Sequence, residues 1–194
     1  MNNVDILTTA KQAASAASAV HKSYLKKGFT SSSKEKHHDM VTSADIDSEK
    51  AVVSVIRDRF PDHNIIAEEG SYRETASPYT WIIDPLDGTN NFFKGLPHYA
   101  VSIGISCDSQ LIAGVVQNTA GDDLFYAEKG GGAYYNGSQI RVSSQDSLKN
   151  AMLFTGFHYD RGDYMRKTLQ AIEYFFQKGI IGIRRTGCAA LDLC

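Results

Sequence analysis

Proline is scarce in this chain, with 4 in 194 residues. With 42% hydrophobic and 22% charged residues, that excludes a Pro-rich linker, a fibrous chain and a disordered polyelectrolyte. Cysteine is scarce too. Cys107, Cys188 and Cys194 are odd in number and lack metal-type spacing. They read as structural thiols of a reducing compartment, and neither a disulfide framework nor a thiolate metal site is expected. No run of about 18 apolar residues is present, so no transmembrane helix is expected. The Ala/Ser stretch over residues 13–20 has no basic segment before it, since Asp5 precedes it and Lys11 is the only nearby cation. It reads as a helix of the mature protein, and the expected location is the cytoplasm. Positive charge is not in excess either: 20 basic against 22 acidic residues leave a net charge of -2. A nonspecific nucleic-acid binder would carry a strongly basic face, so nucleic acid is not an expected partner.

What is present is one chain of domain size, able to bury roughly 70% of its unfolded surface. Leu7, Ala10, Ala14, Ala17, Val20 or His21, and Tyr24 recur at helical spacing, which predicts an amphipathic helix over residues 4–27. Residues 30–39 are polar and read as an exposed loop. A second helix is expected over residues 44–59, opened by a Thr-Ser-Ala-Asp capping pattern at Thr42 and stopped before Pro61. Strand-like runs then follow at residues 65–68, 81–84, 101–106, 111–118, 124–128, 133–135 and 140–142, the last after an Asn136-Gly137 turn. A helix over 164–177, a strand over 180–184 and a new helical pattern from Gly187 complete the chain. The order predicts an α+β fold: residues 1–145 form a first portion, and residues 146–194 begin a second αβ portion.

The densest chemical signal runs from Trp81 to Phe92. A buried-type strand leads into Asp84-Pro85-Leu86-Asp87-Gly88-Thr89. Pro85 removes an amide donor between the two acids, Gly88 allows a tight turn, and Thr89, Asn90 and Asn91 suit the first turn of a helix. A strand end, two carboxylates and a helix start suit a phosphate held through Mg²⁺, a hard cation that takes oxygen ligands. A second apolar strand ends in Glu68-Glu69-Gly70. Adjacent side chains on a strand point to opposite faces, so one of the two acids is expected to face Asp84 and Asp87. Asp45 opens the second helix, where an acid is favoured by the helix dipole. Each piece alone is more often a solvated strand end or a helix cap.

Together the pieces resemble the inositol monophosphatase family of lithium-sensitive, Mg²⁺-dependent sugar phosphatases. Val41-Thr42 before Asp45, Ala100–Gly104 and Gly187-Cys188-Ala189-Ala190 match its frame as well. The resemblance implies a layered αβαβα fold, with two N-terminal helices on a largely antiparallel sheet. It implies two Mg²⁺ ions, with a third and weaker one sharing Glu68. Glu68, Asp84 and the carbonyl of Leu86 would hold the first ion, and Asp84 and Asp87 the second. Thr89, paired with Asp45, would orient the attacking water, with Glu68 also in the catalytic set. Gly88, Thr89, Asn90, Gly187, Cys188 and Ala189 would line the substrate, with Glu69 and Lys34 as lesser candidates. The implied reaction is hydrolysis of a small sugar or polyol phosphate, most simply myo-inositol 1-phosphate, by a homodimer. Fructose 1,6-bisphosphate, 3′-phosphoadenosine phosphate and NADP are alternative substrates within the superfamily. A non-catalytic assembly protein on the same fold is the alternative of another class. One departure stands out. The family's later Trp-Asp motif is missing, the only Trp being Trp81, so the chain resembles the N-terminal portion of the family's length. The acid of that motif completes the second metal site in the family.

Overall fold

The computed structural model describes residues 3–33, 40–70, 72, 74–157 and 162–194. Helix α1 (Asn3–Lys27) and helix α2 (Ser43–Arg59) lie side by side on one face of a seven-stranded sheet. α1 buries Ile6, Ala10, Ala13, Ala14, Ala17 and His21. Those positions lie on one helical face, and the small side chains of the four alanines let the helix approach α2 and the sheet closely. α2 answers with Val52 and Ile56, and the sheet with Trp81, Ile83, Val101, Ile103, Ile105 and Val115. Fully burying a side chain of that size stabilises the fold by about 1.5–3 kcal/mol.

The sheet runs β3 (Asn64–Ala67), β4 (Tyr79–Asp87), β5 (Ala100–Cys107), β6 (Gln110–Asn118), β7 (Asp123–Glu128), β8 (Gly132–Tyr135) and β9 (Ser138–Ile140) in that spatial order. β3 is parallel to β4; every later pairing is antiparallel. Along β4 the alternation that buries Trp81 and Ile83 turns Ile82 and Asp84 to the other face. The β4–β5 register shifts between Asp84 and Asp87. Pro85 sits in that irregularity, where a missing N–H costs the ladder nothing. Helix α3 (Thr89–Lys94) follows directly, entered through Gly88 at φ +91°.

Beyond the sheet, β10 (Met152–Phe154) pairs in parallel with β11 (Gly182–Arg184), joined through α4 (Asp163–Gln177), and α5 (Ala189–Asp192) ends the chain. The predicted strand at 140–142 is shifted to Ser138–Ile140, leaving Val142 exposed. The strand expected over 180–184 is shorter. Two features depart further from the sequence reading. Ser31–Ser33, expected as loop, forms β1 and pairs antiparallel with β2 (Met40–Thr42). A three-serine run carries no strand propensity, so the pairing comes from β2 at the entry to α2. β10 was hidden for a similar reason, being three residues long. Lys34 lies outside the described residues.

Candidate active site

The site is assembled where β4 gives way to α3. Asp45 is the third residue of α2 and part of a capping box with Thr42. Its Oδ2 accepts from the Thr42 amide at 2.8 Å and the Thr42 hydroxyl at 2.6 Å. That leaves Oδ1, which accepts from Thr89 Oγ1 at 2.9 Å, across 44 residues of sequence. Helix capping thus aims one carboxylate oxygen at the start of another helix. Burial pushes the Asp45 carboxyl above the usual carboxylate range, and the bonds from Thr42 and Thr89 work against that rise. The Thr89 hydroxyl also lies 3.0 Å from the Leu86 carbonyl. It has one proton, and an ionised carboxylate is the stronger acceptor.

Asp84 is half-buried and its carboxyl is pushed up to about 7. Burial is the first cause, then repulsion from Glu68 and Asp87, with a smaller push from Asp45. One end of its carboxylate accepts from the Leu86 amide at 3.1 Å. Asp87 Oδ2 accepts from the Ala190 amide at 2.6 Å and from the Cys188 thiol at 3.3 Å. This brings Gly187, Cys188 and Ala189 to the acidic loop. Cys188 is fully buried, so its side chain faces Asp87, and burial pushes its thiol far up. Asn90 stands exposed on the first turn of α3.

The donor chemistry fits a hard divalent cation: four carboxylates felt together, all oxygen, with mutual repulsion that a cation would relieve. Among the described residues, no three His, Cys, Asp or Glu side chains close into a coordination shell. Asp84 and Asp87 each give an oxygen to a backbone amide instead.

Sequence reading missed the supporting roles of two residues, Glu49 and Asn91. Glu49 is buried, one turn beyond Asp45 on α2. It accepts from the Glu69 amide at 2.7 Å and the Tyr72 hydroxyl at 2.8 Å. It thereby fixes the segment that carries Glu68 and Glu69. A Cβ on Gly70 would lie 2.6 Å from Glu49 Oε1, so a larger residue there must displace the Glu49 carboxylate. Asn91 donates to the carbonyls of His98 at 2.7 Å and Thr186 at 2.8 Å. It ties α3 to the Gly187 turn, whose φ is +88° and whose added Cβ would meet the Asn91 amide. Thr42, expected from the sequence to open the capping pattern of α2 and to match the family frame, is also the anchor of Asp45. An i, i+4 relation to Asp45 was the readable signal for Glu49; Asn91 had none.

The profile of the inositol monophosphatase family matches residues 2–194. This chain belongs to that family. It is 37% identical over 185 residues to the Nus factor SuhB of Haemophilus influenzae, covering 95% of this chain and 69% of that protein. The crystal structure of extragenic suppressor protein suhB from Bartonella henselae superimposes with a TM-score of 0.91 at 33% identity, covering 97% of this chain and 73% of that one. The inositol monophosphatase of Anabaena (Nostoc) sp. PCC 7120 gives 0.83 at 36%, covering 100% and 71%. The family's α+β layout is therefore that of this chain. No described helix is long and apolar enough to cross a membrane.

Proposed function

We propose that this family member hydrolyses a small phosphorylated polyol or sugar, with myo-inositol 1-phosphate the first candidate, using two or three Mg²⁺ ions. The observation that supports it most is the Asp45–Thr89 bond beside the repelling acids Glu68, Asp84 and Asp87. Glu68, Asp84, the Leu86 carbonyl and Asp87 would hold the cations. Mg²⁺, when bound, supplies charge neutralisation at the phosphate and activation of water.

This chain's residues do the rest. With its O–H donating to Asp45, the Thr89 oxygen has lone pairs free to accept from an attacking water. The water oxygen forms the new bond to phosphorus as the ester P–O bond breaks, and the departing alkoxide takes a proton from solvent water to leave as the free alcohol. The water's proton passes to Thr89 as the Thr89 proton passes to Asp45. A carboxyl raised above its usual range is a better acceptor for that proton than an ordinary one. The amides of Gly88 and Thr89 would hold phosphate oxygens, while Asn90 and the Gly187–Cys188–Ala189 backbone would face the sugar. A homodimer, cytoplasmic location and inhibition by Li⁺ complete this reading. Fructose 1,6-bisphosphate, 3′-phosphoadenosine phosphate and NADP stand as alternative substrates.

A second reading is assembly with other macromolecules without catalysis, and it rests on the relative named as a Nus factor. One experiment separates the two: phosphate release from inositol 1-phosphate and the three alternatives, with Mg²⁺ and with chelator. Mg²⁺-dependent release supports hydrolysis; no release from any ester at saturating Mg²⁺ supports assembly.

A further inference from the structure

Asn91 is the third residue of α3 and is buried, yet it takes no part in the chemistry above. Its side-chain nitrogen has two hydrogens and meets two acceptors, the His98 carbonyl at 2.7 Å and the Thr186 carbonyl at 2.8 Å. One amide thus joins α3 to the chain before β5 and to the turn before α5. Thr186 is anchored a second time, its hydroxyl donating to Asp192 at the end of α5.

The residues between those two anchors are the ones that reach Asp87. The Ala190 amide and the Cys188 thiol both donate to Asp87 Oδ2, at 2.6 and 3.3 Å, across 103 and 101 residues of sequence. A Cβ placed on Gly88, the next residue, would lie 3.1 Å from the His98 carbonyl oxygen and 3.3 Å from both the Gly187 carbonyl oxygen and Cys188 Cβ. Loop and turn are therefore packed backbone to backbone. Two donors on one carboxylate oxygen fix the rotation of the group, which leaves Oδ1 as the oxygen to face a cation. Without Asn91, the His98 and Thr186 carbonyls lose this donor, and a carbonyl left short of partners favours movement toward water. Thr186 lies between a three-residue strand and a four-residue helix, so the turn is the part that moves.

We propose that Asn91 is a positioning residue for Asp87: by holding the Thr186 carbonyl it keeps the Ala190 amide and the Cys188 thiol on Asp87 Oδ2, so that Oδ1 is presented to the cation that Asp84 and Asp87 share. Through the same turn, it links the sugar-facing backbone of residues 187–189 to that cation. This role rests on the phosphatase reading for its cation, but its first measurements need neither metal nor substrate. Outer partners of metal ligands commonly carry about 10–100-fold in affinity.

The test uses the whole chain. Asn91→Leu keeps the side-chain size and removes both donors. In metal-free protein it should quicken Ala190 amide exchange about tenfold or more, while the Leu86 amide, which donates to Asp84, stays within about threefold of wild type. A folded variant with wild-type Ala190 exchange overturns the proposal, and so does equal quickening of both amides, the mark of a fold loosened throughout. Should Asn91→Leu fail to fold, Thr186→Val loosens the same turn at its other anchor. Quickened Ala190 exchange that Thr186→Ser restores supports the role, and an unchanged rate overturns it. Mg²⁺ titration followed at the Ala190 amide should show a midpoint about tenfold higher in Asn91→Leu, with the midpoint at Leu86 moving less than about threefold. An unmoved Ala190 midpoint overturns the proposal, because the turn would then not aim Asp87 at a cation. Wild-type protein that does not bind Mg²⁺ counts against the phosphatase reading, while the exchange rates still decide whether Asn91 positions Asp87.

Discussion

At the scale of single residues, Asp84 and Thr89 separate holding a cation from moving a proton. Asp84 has a folded-state pKa of about 7, above its unfolded value of about 3.9. In metal-free protein its ionisation therefore disfavours folding. The penalty is absent below about pH 4, grows as pH rises, and is complete above about 7. Asp84→Asn should accordingly raise the melting temperature in chelator at pH 8, by the equivalent of about 1 kcal/mol once partial solvent exposure is allowed for. The gain should vanish near pH 4, and phosphate release should be lost at any Mg²⁺ concentration. Melting curves at the two pH values beside the assay check this, and an unstable, active variant would contradict it. Thr89→Ala should leave Mg²⁺ affinity within a few-fold and lower kcat by about 10²–10⁴-fold, the range of a positioned proton acceptor. Titration beside steady-state kinetics distinguishes this from a metal-ligand role, which would weaken Mg²⁺ binding with kcat preserved.

At the scale of elements, the start of α2 does two tasks. Thr42 caps the helix and, through its amide and hydroxyl, fixes the Asp45 oxygen opposite the one that Thr89 uses. Thr42→Ala removes the hydroxyl and keeps the amide. Cap loss costs about 1 kcal/mol of stability, and a looser Asp45 should lower kcat by about tenfold, equivalent to about 1.4 kcal/mol of barrier. Thr42→Ser should restore both, and a Thr42→Ala protein with full kcat would show that the cap does not aim Asp45. Such an element was legible in sequence because its signal is local: Thr42 and Asp45 are three apart, and Asp84 to Thr89 is one unbroken string. The buried face of α1 was legible in Ala10, Ala14 and Ala17, while helical spacing could not choose between neighbours: Ile6 is buried more fully than the expected Leu7, and His21 rather than Val20. What escaped reading depends on distant partners. Asn91 finds Thr186 across 95 residues, and Ser31–Ser33 becomes a strand only because Met40–Thr42 lies beside it.

At the scale of the whole molecule, α2, β3, the β4–α3 junction and the turn before α5 bring Asp45, Glu68, Asp84 and Asp87 close enough to repel, though they are spread over 43 residues of sequence. Charges collected this way couple cation binding to protons. Below pH 7 the Asp84 carboxyl is largely protonated, and a cation bound there must displace that proton. Apparent Mg²⁺ affinity should therefore fall by about tenfold for each pH unit below 7, and level off above it. Calorimetry at pH 6 in two buffers of different ionisation heat should report release of nearly one proton per Mg²⁺ at the first site, and almost none at pH 8.5. Asp84→Asn cannot release that proton, so any residual binding in it should lose the buffer dependence. Equal heats in both buffers at pH 6, with Mg²⁺ bound by the wild type, would mean that the cation does not draw on Asp84. The repulsion among the acids would then serve something other than cation capture.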